Sequence, residues 1–145
     1  MCASLPRCRA ALSSFIEADL SLANLRFGQF FRADMIRAFL SLADLTEADL
    51  TEVDLYGALM TGVNLTGARL DGARLDGACL KGARLKGASL RHASLAGADL
   101  RNVSHDGISF HGARYDDQTR WPAFLSPGAV GAVHAASPTP VTPFS

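Results

Sequence analysis

The chain has 145 residues, with 14 Lys plus Arg against 14 Asp plus Glu and a sequence pI near 6.9. That length suits one ordinary domain, and zero net charge leaves no global field to recruit nucleic acid or an anionic membrane, so charged recognition has to be local. Cys2, Cys8 and Cys79 form no C-x-x-C pair and no Cys/His ligand cluster, which argues against a disulfide framework and against a zinc site.

The first 15 residues, MCASLPRCRAALSSF, lack a clean apolar stretch followed by a cleavage site. No run approaches the roughly 18 apolar residues that span a bilayer, so the expectation is a cytoplasmic protein without a membrane contact. Ser4-Leu5-Pro6 ahead of 7–14 reads as an N-terminal cap over 1–14, irregular or a short helix with Ser4 at its N-cap. Ala3 and Leu5 also keep the phase of the repeat that follows, so a further turn of that repeat stays open as the alternative.

From residue 15 to residue 115 a period of five holds its phase, and every centre falls on a multiple of five. Phe15, Leu20, Leu25, Phe30, Met35 and Leu40 begin the column, the later centres through Leu100 are Leu or Met, and Phe110 and Tyr115 close it. His105 is the polar exception and reads as an irregularity of the last turns. Two residues before each centre (position n−2) stands a small or aliphatic residue, most often Ala.

An α-helix cannot use this spacing, because residues five apart rotate by about 140° and smear the column round the cylinder. A flat strand fails too, since successive centres would alternate faces. Two inward residues at n−2 and n with a bend through n+1 and n+2 satisfy it, and the Gly that recurs at n+2 from Gly57 to Gly97 suits a type II turn.

The segments A-D-L-S-L-A-N-L at 18–25 and A-D-L-T-E-A-D-L at 43–50 resemble the A(D/N)LXX motif of the pentapeptide-repeat family. The resemblance implies an all-β fold, a right-handed quadrilateral parallel β-helix with four pentads per coil. Residues 15–115 then make about five coils in a rod about 25 Å tall, at roughly 4.8 Å per strand step. The run Tyr115-Asp116-Asp117-Gln118-Thr119-Arg120-Trp121-Pro122 is similar to a segment that follows the last coil in such proteins. It implies a C-terminal cap over 116–125 with Trp121 as the lid of the core. The tail 126–145, rich in Ala, Gly, Ser and Pro, is expected to be disordered.

Two outward features bear on function. Five acids, Asp44, Glu47, Asp49, Glu52 and Asp54, are followed by four bases, Lys81, Arg84, Lys86 and Arg91. They read either as a dipolar binding surface or as outward positions that need only be soluble. An apolar ladder occupies the n−1 position at Phe39, Leu59 and Cys79, flanked by Leu22 and Leu42, with Phe27, Phe31, Ile36 and Tyr56 adding apolar groups on other sides. That ladder reads as an interface, with a homo-oligomer one of its forms, or as a surface covered by the N-terminal arm or C-terminal tail.

Catalytic readings fare poorly. His92, His105, His111 and His134 are dispersed, and no Ser/His/Asp or Cys/His constellation joins them. No metal ligand set or cofactor motif emerges, so the expectation is a non-enzyme without cofactor that binds or scaffolds a protein partner, direct nucleic-acid binding being disfavoured. The family resemblance supplies the alternative, a DNA-mimicking modulator of DNA gyrase or another topoisomerase. The acid cluster suits that role, and the basic later coils oppose it.

Overall fold

The computed structural model describes residues 3–104, 106–123 and 125–135, so the expectation for His105 lies outside the described residues. Nearly all of the described chain is one repeated unit, a single bridging residue followed by a corner. Asn64 shows it: its N–H donates to the Ala43 carbonyl at 2.9 Å, and its carbonyl accepts the Leu45 N–H at 2.8 Å. The corner closes when the residue three past a centre donates back to it, as Ala48 does to the Leu45 carbonyl at 3.0 Å.

Each bridging residue pairs in parallel with the residue 20 further on, and four such series run along the molecule. One begins at Ser4↔Asn24 and continues through Asp44, Asn64, Arg84 and Ser104; the others begin at Arg9↔Gln29, Ser14↔Asp34 and Asp19↔Phe39. Successive pentads therefore step round four faces, and residues ten apart lie on opposite sides. We call the four faces A to D after Ser4, Arg9, Ser14 and Asp19.

The inward pair of each pentad makes a continuous core. Every described centre from Leu25 to Leu100, and every n−2 residue from Ala33 to Ala98, is no more than 1 % exposed. Gly28 at an n−2 position makes room for a bulky centre, since a Cβ there would overlap the Phe30 ring. Phe30 in turn meets Phe15 edge to face with centroids 6.0 Å apart.

The motif's Asp or Asn at n−1 has a local task. Its Oδ1 accepts the N–H of residue n+1, as Asp44 does from Thr46 at 3.0 Å, Asp49 from Thr51 at 3.0 Å and Asn64 from Thr66 at 3.1 Å, so the corner keeps no orphan donor there. Where n−1 is Ser89, Asp71 of the preceding coil supplies the acceptor for the Arg91 N–H at 3.1 Å. The n+2 residue takes positive φ at every described corner from Arg7 to Gly112, and Leu22, Leu42, Glu47 and Glu52 do so without being glycine. The expectation of left-handed corners thus extends into the half of the chain that lacks Gly.

The expected N-terminal cap over 1–14 is corrected. Ser4, Arg9 and Ser14 bridge to Asn24, Gln29 and Asp34, and Arg7 and Leu12 take the corner φ of 59° and 61°. Residues 3–14 form a coil because Ala3, Cys8 and Ala10 supply the same inward positions as later pentads, and this outweighs the helix signal from Ser4-Leu5-Pro6.

At the other end Asp116 to Arg120 bridges the last corner with one extra residue, pairing Asp99 with Arg120. Thr119 is buried and its hydroxyl donates to the Leu95 carbonyl at 2.8 Å. Trp121 stands edge-on to Phe110 and Tyr115, both at 5.3 Å, so its ring lies against the last centres. The chain then folds back through a 3-10 turn at Gly128–Val130, and strand β2 (Val133–His134) pairs in parallel with strand β1 (Arg114–Tyr115). The expectation of disorder from 126 is corrected to that extent, because Val130 and Ala132 find apolar cover on the core. Residues 136–145 lie outside the described residues.

Candidate functional site

Face D carries the apolar ladder. Phe39 pairs with Leu59 and Leu59 with Cys79, so the three side chains stack on neighbouring coils as their 20-residue spacing requires. Phe39 and Leu59 are 42 % and 44 % exposed, and Cys79 is half-buried with its Sγ 3.4 Å from the Thr61 hydroxyl. No charged residue stands at a bridging position of this face between Asp19 and Asp99.

Both edges of the face carry apolar side chains as well, beside Glu17 and Arg37 on one and Lys81 on the other. Leu22 and Leu42 line the corner that follows it and are 54 % and 63 % exposed. The Leu42 Cδ2 lies only 2.8 Å from where a Cβ of Gly62 would sit, so the side chain drapes over the next coil's corner. Ile16, Ile36 and Tyr56 line the corner that precedes it, with Ile16 and Tyr56 exposed. Ile36 and Tyr56 were expected on other sides of the rod; the bridge register corrects this, because position 56 falls between the face of Asp54 and that of Leu59. Their 20-residue spacing from Ile16 was the sequence signal that marks them. Phe27 and Phe31 do lie elsewhere and are covered by guanidinium groups, Arg7 over Phe27 at 4.9 Å and Arg32 over Phe31 at 5.1 Å.

Covering by an N-terminal arm is excluded for residues 3–14, which are spent in the first coil. Covering by residues 136–145 is a question that falls outside the described residues.

The charged clusters do not form single patches. Consecutive pentads turn the corner, so Asp44, Asp49 and Asp54 stand on three different faces, with Glu47 and Glu52 at the corners between them. Arg26 binds Asp44 at 3.3 Å, Arg32 binds Glu52, and Arg74 reaches Asp54 at 3.4 Å. Each base comes from the coil above or below, an exposed arrangement worth a few tenths of a kcal/mol. Lys81, Arg84, Lys86 and Arg91 are exposed and form no ion pair among the described residues. Arg84 stands on face A, Lys86 at the corner between faces A and B, Arg91 at the corner between faces B and C, and Lys81 at the corner between faces D and A, beside the ladder.

Several carboxyls are held below the usual range. Burial raises that of Asp44, but the Thr46 hydroxyl and N–H and the Arg26 guanidinium outweigh it. The Arg101 guanidinium lowers Asp99 through paired hydrogen bonds of 2.9 and 2.8 Å, helped by the Arg101 N–H. The Gly97 N–H lowers Asp116, and the Ser21 N–H lowers Asp19. These are corner-capping acids. No group of three or more His, Cys, Asp or Glu is placed to hold a metal among the described residues.

A family model described as pentapeptide repeats matches residues 29–67 and 68–104 in eight copies, just over half of the chain. The chain belongs to the pentapeptide-repeat family. Among solved structures, QnrB1, a plasmid-mediated fluoroquinolone resistance protein treated with trypsin, superposes with a TM-score of 0.65 at 21% identity. The match covers 89% of this pentapeptide-repeat chain and 64% of that one, so this chain falls short of two thirds of that relative, and at such identity the likeness establishes the fold alone. The pentapeptide-repeat protein alr5209 from Nostoc PCC 7120 is 31% identical, with 70% of this chain and 84% of that one covered and a TM-score of 0.42. Rfr23 from the cyanobacterium Cyanothece 51142 is 29% identical over 82% of this chain and 84% of that one, with a TM-score of 0.38. No curated protein matches the chain.

Proposed function

We propose that this chain is a non-catalytic protein-binding module of the cytoplasm, a right-handed quadrilateral β-helix of about five coils over 15–115 that presents face D to a partner protein. The observation that carries the reading is the uncharged ladder of Phe39, Leu59 and Cys79, bordered on both corners by Leu22, Leu42, Ile16 and Tyr56. Solubility explains polar outward positions, but six exposed apolar side chains on one face of a rod that stacks without them call for a partner. They do not hold the coils together, since bridges and corners repeat unchanged where the outward residue is Arg84 or Ser89.

The alternative of a DNA-mimicking modulator of gyrase or another topoisomerase requires a continuous acidic track. Here the acids are spread over three faces, three of them are paired with arginines, and the later coils carry unpaired bases, so charge complementarity to a DNA-binding saddle is the weaker reading.

The test is affinity capture with the full chain, the Phe39→Ser, Leu59→Ser double variant, and a control carrying Ser89→Ala and Ser94→Ala on faces B and C. The expected outcome is a partner retained by the wild type and the control and lost from the ladder variant. Partners retained equally by all three would refute the assignment of face D.

A further inference from the structure

The two ends of the rod are finished differently. At the C-terminal end Trp121, Leu125 and Val130 pack over the last centres and β2 pairs with the final edge. The first coil has no such cover among the described residues. The N–H and carbonyl groups of Arg9, Ser14 and Asp19, which in every later coil would bond to the coil before, find no backbone partner there among the described residues. Leu5, Leu12, Ile16 and Leu22 on its rim are 50 %, 74 %, 49 % and 54 % exposed, whereas the centres from Leu25 onward are sealed. Phe15 and Leu20 are only partly buried. Open edges of this kind accept another chain.

The charges on that rim indicate which chain. Residues ten apart lie on opposite sides, so Arg7 stands opposite Glu17 and Arg9 opposite Asp19. One side of the end is basic and the diametrically opposite side acidic. A second copy turned end over end about a two-fold axis across the rod brings its own Arg7 over Glu17 and its own Glu17 over Arg7. The axis that does so passes through the corners of Leu12 and Leu22, which then meet their own counterparts. The edge of Arg9 faces the second copy's Ser14, and that of Ser4 the second copy's Asp19, as antiparallel neighbours whose N–H and carbonyl groups point at one another.

We propose that the open first coil is the dimerisation surface of this protein, occupied by the first coil of a second copy in a head-to-head, two-fold pair held by edge hydrogen bonds, the Leu5, Leu12 and Leu22 rim, and reciprocal pairing of Arg7 with Glu17. Arg7 is positioned over the Phe27 ring at 4.9 Å, and Glu17, which also holds Arg37 at 2.8 Å, stays largely exposed and open to a second cation. Face D, apart from its Ile16 and Leu22 margin, remains free along the side of the paired rods.

The test is a charge swap on the full chain, read by light scattering. The wild type is expected at twice 15.3 kDa. The Arg7→Glu variant and the Glu17→Lys variant are each expected at half that mass, because each sets like charges over one another where the Arg7 and Glu17 corners meet. Mixing the two variants in equal amounts is expected to restore the doubled mass, since the reversed rim of one then meets the reversed rim of the other; unfolded variants could not recover in this way. The Phe39→Ser, Leu59→Ser variant is expected to stay dimeric, which separates this surface from the partner-binding face. A monomeric wild type overturns the proposal, as do reversed variants that remain dimeric or folded ones whose mixture stays monomeric.

Discussion

Gly28 and Phe30 show how a strict repeat tolerates an oversized centre. The n−2 and n residues of one pentad share a single slot in the core, so volume added at one has to be removed at the other. Gly28→Ala places its Cβ into the Phe30 ring, and the nearby Leu25 carbonyl at 3.0 Å blocks escape on the other side. We expect a loss of about 1–3 kcal/mol in urea unfolding, the usual range for overpacking. Adding Phe30→Leu makes the slot read Ala-x-Leu like its neighbours and should recover most of that loss. A double variant no more stable than the Gly28→Ala single would show that the ring is not what the glycine accommodates.

The corner is the element that gives the family motif its chemistry. Asp and Asn at n−1 hold the N–H of n+1; the Ser21 N–H lowers the carboxyl of Asp19, burial at Asp44 is outweighed by the Thr46 hydroxyl and N–H with Arg26, the Arg101 guanidinium lowers Asp99, and the Gly97 N–H lowers Asp116, which stands outside the n−1 series. A depressed folded value means stability that is present above the unfolded value, about 3.9, and lost as pH falls through the folded one. Denaturant midpoints should therefore hold from about pH 7 to about pH 5 and drop as pH falls below about 4. Asp99→Asn keeps an oxygen for the Arg101 N–H but loses the charge that draws the guanidinium. Its midpoint should start slightly lower at neutral pH and fall less steeply in acid, and an unchanged acid slope would remove Asp99 from the account.

At the scale of the whole molecule, stability is shared along one axis, because each coil touches only the coils before and after it. Leu65 lies mid-column and is fully buried. Leu65→Lys sets an ammonium in a column without polar partners, and a loss of about 3–5 kcal/mol is expected, a large part of what a domain of this size possesses. Ser94→Lys, on an outward bridging position, should leave the midpoint within about 0.5 kcal/mol. Circular dichroism through a urea titration compares the two, and a folded, unshifted Leu65→Lys protein would contradict a dry continuous core. The same one-dimensional logic sets the ends apart from the middle, and among the described residues the last centres are covered while the first coil is not.

The sequence by itself determined the family, the phase of the repeat, the inward pair and the stacking of Phe39 over Leu59, because a period held for twenty-one pentads admits one way of placing large apolar centres inside. It also pointed to Trp121 at the closing end. It misread 3–14, where Ser4-Leu5-Pro6 imitates a helix start although Ala3, Cys8 and Ala10 already satisfy the coil, and it missed that the chain beyond 126 returns to pair with Arg114–Tyr115. Only the tertiary structure decided which face each outward residue joins. Neighbours along the chain turn the corner away from one another, which scatters the acids of 44–54 over three faces and adds Ile16 and Tyr56 to the face whose other corner Leu22 and Leu42 already flank. Surface composition in a solenoid follows the coil period rather than the chain, and the coil period becomes visible once the bridges are drawn.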